Sequence, residues 1–146
     1  MLFSPAFLRQ EFIPRLKRLN DAWHEHGIKC LFHSDGNLME ILPDLVEAGI
    51  DGLNPVETGA GMDLGEIKQL YGDLIFLAGG IDVSQLMPFG TLEEVREACQ
   101  AAIAAAGPTG YFMGSTTELH NSIPLENILA MIEVAWGASL IEGMSG

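Results

Sequence analysis

Short apolar runs alternate along this chain with longer segments in which apolar residues recur at helical spacing. Near the N-terminus, Phe12, Leu16, Leu19 and Trp23 follow one another at intervals of four, three and four residues, which places them on one face of a helix. Four compact apolar runs predict strands at residues 28–32, 50–53, 74–78 and 111–113. A further helical segment follows each run, so the predicted order is one helix and then four strand–helix units.

Capping residues mark where the predicted helices begin and end. Ser4-Pro5 opens the first helix, and Pro14 is expected to bend or divide it because proline interrupts helical hydrogen bonding. Thr91 and Glu94 form a predicted capping box at the start of a long helix. The later helices are predicted over residues 38–48, 64–71, 91–106 and 124–136. We place one domain at residues 4–136 and expect residues 137–146 to be a frayed tail.

The alternation of strands and helices predicts a parallel α/β sheet. The turns that lead into the strands are short, whereas the loops that follow the strands are longer and hold the candidate polar residues. In such folds the loops at the carboxyl ends of the strands carry the site. Four units cannot close an eight-stranded barrel, so the chain is either an open four-stranded sheet or half of a TIM (β/α)₈ barrel. Similar units bounded by glycines favour the half barrel, (βα)₄.

Composition narrows the function classes. The 146 residues carry a net charge of −13, from 20 acidic residues against 7 Lys and Arg. This balance argues against binding to nucleic acid or to an anionic membrane surface, since both require clustered cations. No apolar stretch approaches the roughly 20 residues of a membrane span, and the N-terminus lacks the order of a signal peptide. We therefore expect a cytoplasmic protein.

The cysteines and two of the histidines are predicted to have structural roles. Cys30 and Cys99 lie in apolar segments and are expected to be buried thiols in a reducing compartment. Neither belongs to a CxxC pair, which excludes a zinc knuckle. His24 and His26 lie at the end of the first helix, where they resemble partners of the helix dipole more than ligands.

Two histidine–carboxylate pairs follow predicted strands. His33 and Asp35 lie two residues apart after the first strand, a spacing that places two side chains on one face of an extended chain. Such a pair suits acid–base chemistry or metal binding, although Asp35-Gly36 also reads as a simple turn. Glu118 and His120 repeat the spacing after the last strand, where the alternative is a capped loop. We take these four residues as candidate catalytic residues.

Five further polar residues in the same loops are candidate substrate-binding residues. For two of them a structural reading stays open, because Glu57 also suits a solvated loop and Asp82 also suits the cap of a short helix after the third strand. No GxSxG motif surrounds Ser115, which argues against a serine hydrolase. The candidate substrate-binding residues are Asn37, Asn54, Glu57, Asp82 and Ser115.

Three segments resemble the uroporphyrinogen decarboxylase superfamily, which includes corrinoid-dependent methyltransferases. They are FHSDGNLMEILPDLVEAGIDGLNP, LAGGIDVSQLMPFGTLEEVREA and YFMGSTTELHNSIPLENILAMIE, in that order along the chain. The resemblance implies the C-terminal half of a TIM barrel. We expect the first half to be absent from this chain, and we expect a chain with such exposed edges to be incomplete or to form a homo-oligomer.

The resemblance also bears on the metal. Zinc-dependent methyltransferases of the superfamily have a His-x-Cys pair after the strand that ends here at Phe32, and a further cysteine after the last strand. In this chain His33 matches the histidine, Asp35 replaces the first cysteine, and Ser115 or Thr116 stands at the second. The family's thiolate zinc site is therefore lost. A divalent metal, with zinc the first expectation, would need a set such as His33, Asp35 and His120.

Three functions follow from these observations. The first is methyl transfer from a small methylated compound toward a corrinoid held by a partner protein. The second is decarboxylation of a porphyrinogen-like substrate: Asp35-Gly36 resembles the decarboxylases, but their histidine after the last strand is Ser115 here. The third is an inactive half-barrel fragment that self-associates.

Overall fold

The computed structural model describes residues 3–143, with side chains up to residue 137. Its strands are β1 (Leu31–His33), β2 (Gly52–Val56), β3 (Phe76–Ile81) and β4 (Tyr111–Ser115). Its helices are α1 (Pro5–Phe7), α2 (Ile13–His24), α3 (Leu42–Glu47), α4 (Leu64–Tyr71), α5 (Leu86–Phe89), α6 (Leu92–Ala106) and α7 (Leu125–Gly143). None of the helices within this range has the length and apolar character needed to cross a membrane.

The four strands pair in parallel and in their order along the chain, β1-β2-β3-β4. A sheet whose strand order never reverses keeps its right-handed crossover helices on one face, whereas a doubly wound sheet reverses and places helices on both. The sheet order therefore confirms the predicted parallel (βα)₄ arrangement, which is half of a (βα)₈ barrel.

The two faces of the sheet differ sharply in burial. Leu53 and Leu77 point toward the helices and are fully buried, and they belong to a core that extends into α3 and α4. On the opposite face, Leu31 is 50% exposed and Phe112 is 65% exposed. A closed barrel fills this second face with side chains from all its strands. The chain thus presents the apolar lining of a barrel to solvent.

The first helical segment changes its hydrogen-bonding pattern just before Pro14, although its backbone stays helical throughout. The Ser4 side chain accepts a hydrogen bond from the Phe7 amide and caps α1. A π-helical turn over Leu8–Phe12 then leads into α2, in which Pro14 occupies the first turn and needs no amide partner. The predicted capping box of Thr91 and Glu94 is also present at the start of α6.

Several element boundaries differ from the prediction. Three of the four strands begin about two residues later than their apolar runs, because Ile28 and Leu74 lie at the entrance to the sheet and are exposed. The β3 strand continues through Gly79 and Gly80, whose φ values of +95° and +92° are accessible to glycine. The last helix continues to Gly143 instead of ending near Trp136, and residues 144–146 lie outside the described range.

The β1 edge of the sheet is open. A groove of about 450 Å³ runs between α2 and β1, with apolar walls that include Leu16, Leu19, Trp23 and Leu31. Trp23 is 45% exposed, although it belongs to the apolar face predicted for this helix. The face is therefore only partly covered by the chain itself.

Gly52 offers a test of the packing on the open face. A Cβ atom at this position would lie 2.3 Å from the Phe76 ring, which packs edge-on against Phe112 at 5.4 Å between centroids. We expect Gly52→Ala to displace the ring and to lower the free energy of unfolding by about 1–3 kcal/mol, measured by urea denaturation.

Gly114 provides the matched control, because a Cβ atom there would meet nothing within 4 Å. Gly114→Ala is expected to change stability by about 0.5 kcal/mol or less, since surface changes that create no clash have small effects. An equal loss in both variants would contradict the role assigned to the Phe76 ring.

Candidate functional site

The loops after the strands form one rim of the sheet, and His33 lies at its β1 corner. His33 ends β1 and is paired in register with Asn54 of β2. The side-chain amide nitrogen of Asn54 lies 2.8 Å from Nδ1 of His33. Because an amide NH₂ group can only donate, Nδ1 must accept, and the ring proton of the neutral imidazole is then on Nε2.

The free Nε2 side of His33 faces Asp35. The Nε2 atom lies 4.0 Å from Oδ1 of Asp35, and the two side chains are 57% and 62% exposed. At this distance the groups form an electrostatic pair without a direct hydrogen bond. Both therefore remain available to a ligand, with His33 as a proton donor and Asp35 as an acceptor.

Glu118, in the loop after β4, is linked to this corner by charge. Hydrogen bonds from the Thr117 hydroxyl and from its own backbone amide lower the pKa of Glu118, desolvation opposes them, and the charge of His33 adds a smaller lowering effect. One member of the second predicted pair thus interacts with the first pair through charge.

His120 does not join this group. Its Nε2 atom lies 3.3 Å from the carbonyl oxygen of Val83, in the loop after β3. The nearby hydroxyls are also engaged: Ser115 donates to the Thr117 carbonyl, and the buried Thr116 hydroxyl accepts from the Val83 amide. The contacts of His120 are those of a residue that holds two loops together.

The predicted metal ligands do not form a three-donor set in the part of the chain that the structure describes. Only His33 and Asp35 lie near each other among the three residues His33, Asp35 and His120. Two adjacent donors fall short of the three or four protein ligands of a zinc site. We therefore derive no chemical step through a metal at this corner.

Two of the candidate substrate-binding residues tie the loops to one another, and a third forms hydrogen bonds within its own loop. The carboxylate of Glu57 accepts a hydrogen bond from the Gly36 amide. The Asn37 amide group donates to the carbonyl oxygens of Ala60 and Gly61, at 3.1 and 3.4 Å. The Asp82 carboxylate accepts from the backbone amides of residues 84, 85 and 86, contacts that favour a local structural role just before α5, while substrate binding by Asp82 stays a prediction.

A cavity of about 660 Å³ opens beside the His33 corner, between the N-terminal helices and the loop after β1. Its apolar wall comes from Phe3, Phe7, Phe12 and Phe32. Asp35 and Glu57 also line it, and no lysine or arginine does so among the described residues. Its size and mixed lining are typical of a small-molecule site.

The sequence did not reveal two features. The aromatic wall was missed because Phe3 and Phe7 precede the predicted apolar face, although their spacing of four residues was a usable signal. A contact between His24 and Asp51 was missed because 27 residues separate them.

Asn54 tests how the His33 ring is held. Replacing its amide donor by a carboxylate acceptor in Asn54→Asp should move the ring proton to Nδ1, because the new partner accepts a hydrogen bond there. Nitrogen NMR shifts of His33 report the tautomer, with the other three histidines as internal references. An unchanged Nε2–H tautomer in the variant would show that Asn54 does not orient the ring.

Comparison with known proteins agrees with this architecture. No curated protein matches the chain. Among solved structures, a methyltransferase from Methanosarcina mazei superposes with a TM-score of 0.73 at 25% sequence identity. The match covers 91% of this chain but 37% of the methyltransferase, so the chain spans little more than a third of that protein's length.

The family comparison identifies the same region. The family model described as uroporphyrinogen decarboxylase (URO-D) matches residues 1–136, which is nearly the whole chain. This range includes the four strands, the His33 corner and the loop that carries Glu118. The chain therefore belongs to the uroporphyrinogen decarboxylase family.

Proposed function

We propose that this chain contributes the catalytic rim of a methyltransferase, which moves a methyl group from a small methylated compound toward a corrinoid on a partner protein. The observation that carries the proposal is the pairing of His33 with Asp35 at one corner of the strand ends, where the charge of Glu118 also acts on His33, beside an apolar cavity that Asp35 lines. The similarity to a methyltransferase that covers 91% of the chain supports the same reaction class.

The cavity suits a small methylated substrate. Its phenylalanine wall would hold the methyl group and the apolar body, and Asp35 and Glu57 lie where polar atoms of the substrate would point. Because Glu57 is engaged by the Gly36 amide, its role is to hold the loop, while Asp35 is free to contact the ligand.

In the proposed reaction, the bond between the methyl carbon and its leaving atom breaks as the methyl group passes to the corrinoid. The corrinoid supplies the nucleophile. The leaving atom gains an electron pair, which a hydrogen bond from the Nε2–H group of His33 would stabilise while the leaving group takes its proton from solvent. Asp35 and Glu118 would stabilise positive charge that accumulates at this corner during the reaction.

A second candidate is decarboxylation of a porphyrinogen-like substrate. The family model matched by the chain carries that activity in its description, and Asp35-Gly36 occupies the loop after β1. Release of CO₂ from uroporphyrinogen, with no demand for a corrinoid, would distinguish this reaction from methyl transfer.

A third candidate is an inactive half barrel that self-associates. It is favoured by the exposed Leu31 and Phe112 on the open face and by the exposed Trp23 in the groove beside β1. The two enzymatic candidates require a complementary half barrel, supplied by another chain or by further residues of the same protein.

The catalytic proposal is tested by substitution at the corner. We expect His33→Ala and Glu118→Ala each to lower the rate of methyl transfer to free cob(I)alamin by about 10²-fold or more, the magnitude typical of removing a polar group that stabilises charge in the transition state. The assay follows the corrinoid absorbance with a panel of methylated amines, ethers and thiols, using the chain together with any half barrel that it requires.

The matched controls carry the same residue types away from the rim. His26 and Glu97 are exposed on α2's end and on α6, and their alanine variants should retain full turnover. Wild-type turnover in the His33→Ala and Glu118→Ala variants would contradict the roles assigned to these residues.

The open face generates a separate prediction about assembly. Because the chain leaves two sheet edges and an apolar lining uncovered, we expect light scattering at micromolar concentration to report a dimer or larger species. A stable monomer with a cooperative unfolding transition would contradict self-association. It would favour the alternative that the other half of a barrel covers the open face.

A further inference from the structure

A cluster of three metal-binding side chains lies at the end of the sheet opposite the His33 corner. His24 is at the end of α2, Cys30 immediately precedes β1, and Asp51 immediately precedes β2. One imidazole nitrogen, the Cys30 sulfur and one carboxylate oxygen all lie within 4.8 Å of one another. Within the described residues, it is the one group of three or more His, Cys, Asp or Glu side chains whose ligand atoms lie this close together.

Hydrogen bonds to the Asp51 carboxylate hold the three residues together without any metal. The His24 Nε2 atom lies 2.7 Å from Oδ2 of Asp51, and the same oxygen accepts a hydrogen bond from the Cys30 amide at 2.8 Å. The three residues come from three elements that the sheet itself fixes in place. A preformed arrangement of this kind reduces the cost of gathering ligands around an ion.

We propose that His24, Cys30 and Asp51 form a binding site for a divalent cation of the zinc type, which fastens the end of α2 to the starts of β1 and β2. This inference does not depend on the proposed function. The site lies where strands begin, the end of parallel α/β folds associated with stability instead of catalysis.

The donor set fits zinc. Imidazole nitrogen, thiolate sulfur and carboxylate oxygen are its usual ligands, with bonds of roughly 2.0–2.3 Å that place tetrahedral ligand atoms about 3–4 Å apart. Ligand atoms already within 4.8 Å need only small side-chain shifts to reach this spacing. His24 is 37% exposed, so a water molecule has access to the fourth position.

The charges are also compatible. Burial tends to raise the pKa of Asp51, but hydrogen bonds from Lys29, the Cys30 amide and His24 outweigh it and bring the pKa to about 2. The carboxylate is therefore ionised at neutral pH. Burial and the Asp51 charge raise the pKa of the Cys30 thiol, so the ion itself must displace the thiol proton. The thiolate and the carboxylate together then balance the two charges of the ion.

Lys29 competes with an ion for the Asp51 carboxylate. Its ammonium group lies 2.7 Å from Oδ1 of Asp51, on the oxygen that His24 does not contact. The Lys29 side chain is 78% exposed and flexible, so it can return to solvent when an ion arrives. Lys29→Ala should accordingly strengthen binding of the ion.

Cobalt(II) titration of the reduced, chelator-treated chain tests the site directly. Cobalt(II) stands in for zinc and gives a thiolate charge-transfer band and strong visible bands when it is bound tetrahedrally. We expect one equivalent to produce both features in the wild type, and zinc to displace cobalt with loss of the colour.

The chain supplies a matched control for each ligand. Cys30→Ser and His24→Gln should remove the thiolate band or weaken binding at least about tenfold. Cys99→Ala and His26→Gln replace the other cysteine and the neighbouring histidine and should leave the titration unchanged. Circular dichroism verifies that each variant is folded, and His24→Gln keeps a donor for Asp51.

Two results would overturn the proposal. One is a wild-type chain that shows no thiolate band at millimolar cobalt(II), which would leave the three residues as a hydrogen-bonded tie alone. The other is a band that survives in Cys30→Ser but disappears in Cys99→Ala. A zinc-dependent rise in the melting temperature, present in the wild type and absent in Cys30→Ser, would further support the site.

Discussion

The parallel pairing of four strands in their chain order constrains everything else in this molecule. Because the order never reverses, the crossover helices are confined to one face of the sheet, and the other face is left with the lining of a barrel. The same pairing places the carboxyl ends of all four strands along one rim. His33 and Asp35 lie close together there, and the charge of Glu118 acts on His33 although Asp35 and Glu118 are 83 positions apart in the sequence.

Much of the fold could be predicted from the sequence because its signals are local. A capping box, an N-terminal proline and glycines at element ends depend on residues a few positions apart, and they located most of the helices. The exact strand ends were less predictable. The apolar runs include entrance residues such as Leu74, and β3 continues through glycines that add no hydrophobic signal.

The candidate site was predictable in its location but not in its contacts. Position after a strand identified His33, Asp35 and Glu118, but which partner each side chain meets depends on register and loop path. Asn54 was predicted to bind substrate, yet it is the cross-strand neighbour of His33 and contacts its ring. His120 repeats the spacing of His33 and Asp35, but its loop turns it toward the Val83 carbonyl.

The two ends of the sheet have separate physical roles. At the starts of β1 and β2, the Asp51 carboxylate gathers groups from α2 and β1 in a partly buried network. At the opposite end, the groups around His33 are more exposed and have fewer partners. Substitutions at the rim can therefore change the chemistry of the site without disturbing the contacts at the strand starts, which preserve the geometry of the strands.

The hydrogen bond between the Glu57 carboxylate and the Gly36 amide links the loop after β2 to the loop after β1. Gly36 has a φ of +89°, a conformation that residues with a side chain rarely adopt. The direction of its amide toward Glu57 therefore depends on glycine at this position. A substitution in either loop would therefore be felt in the other. In the history of such a protein, positions 36 and 57 would be expected to change together or not at all.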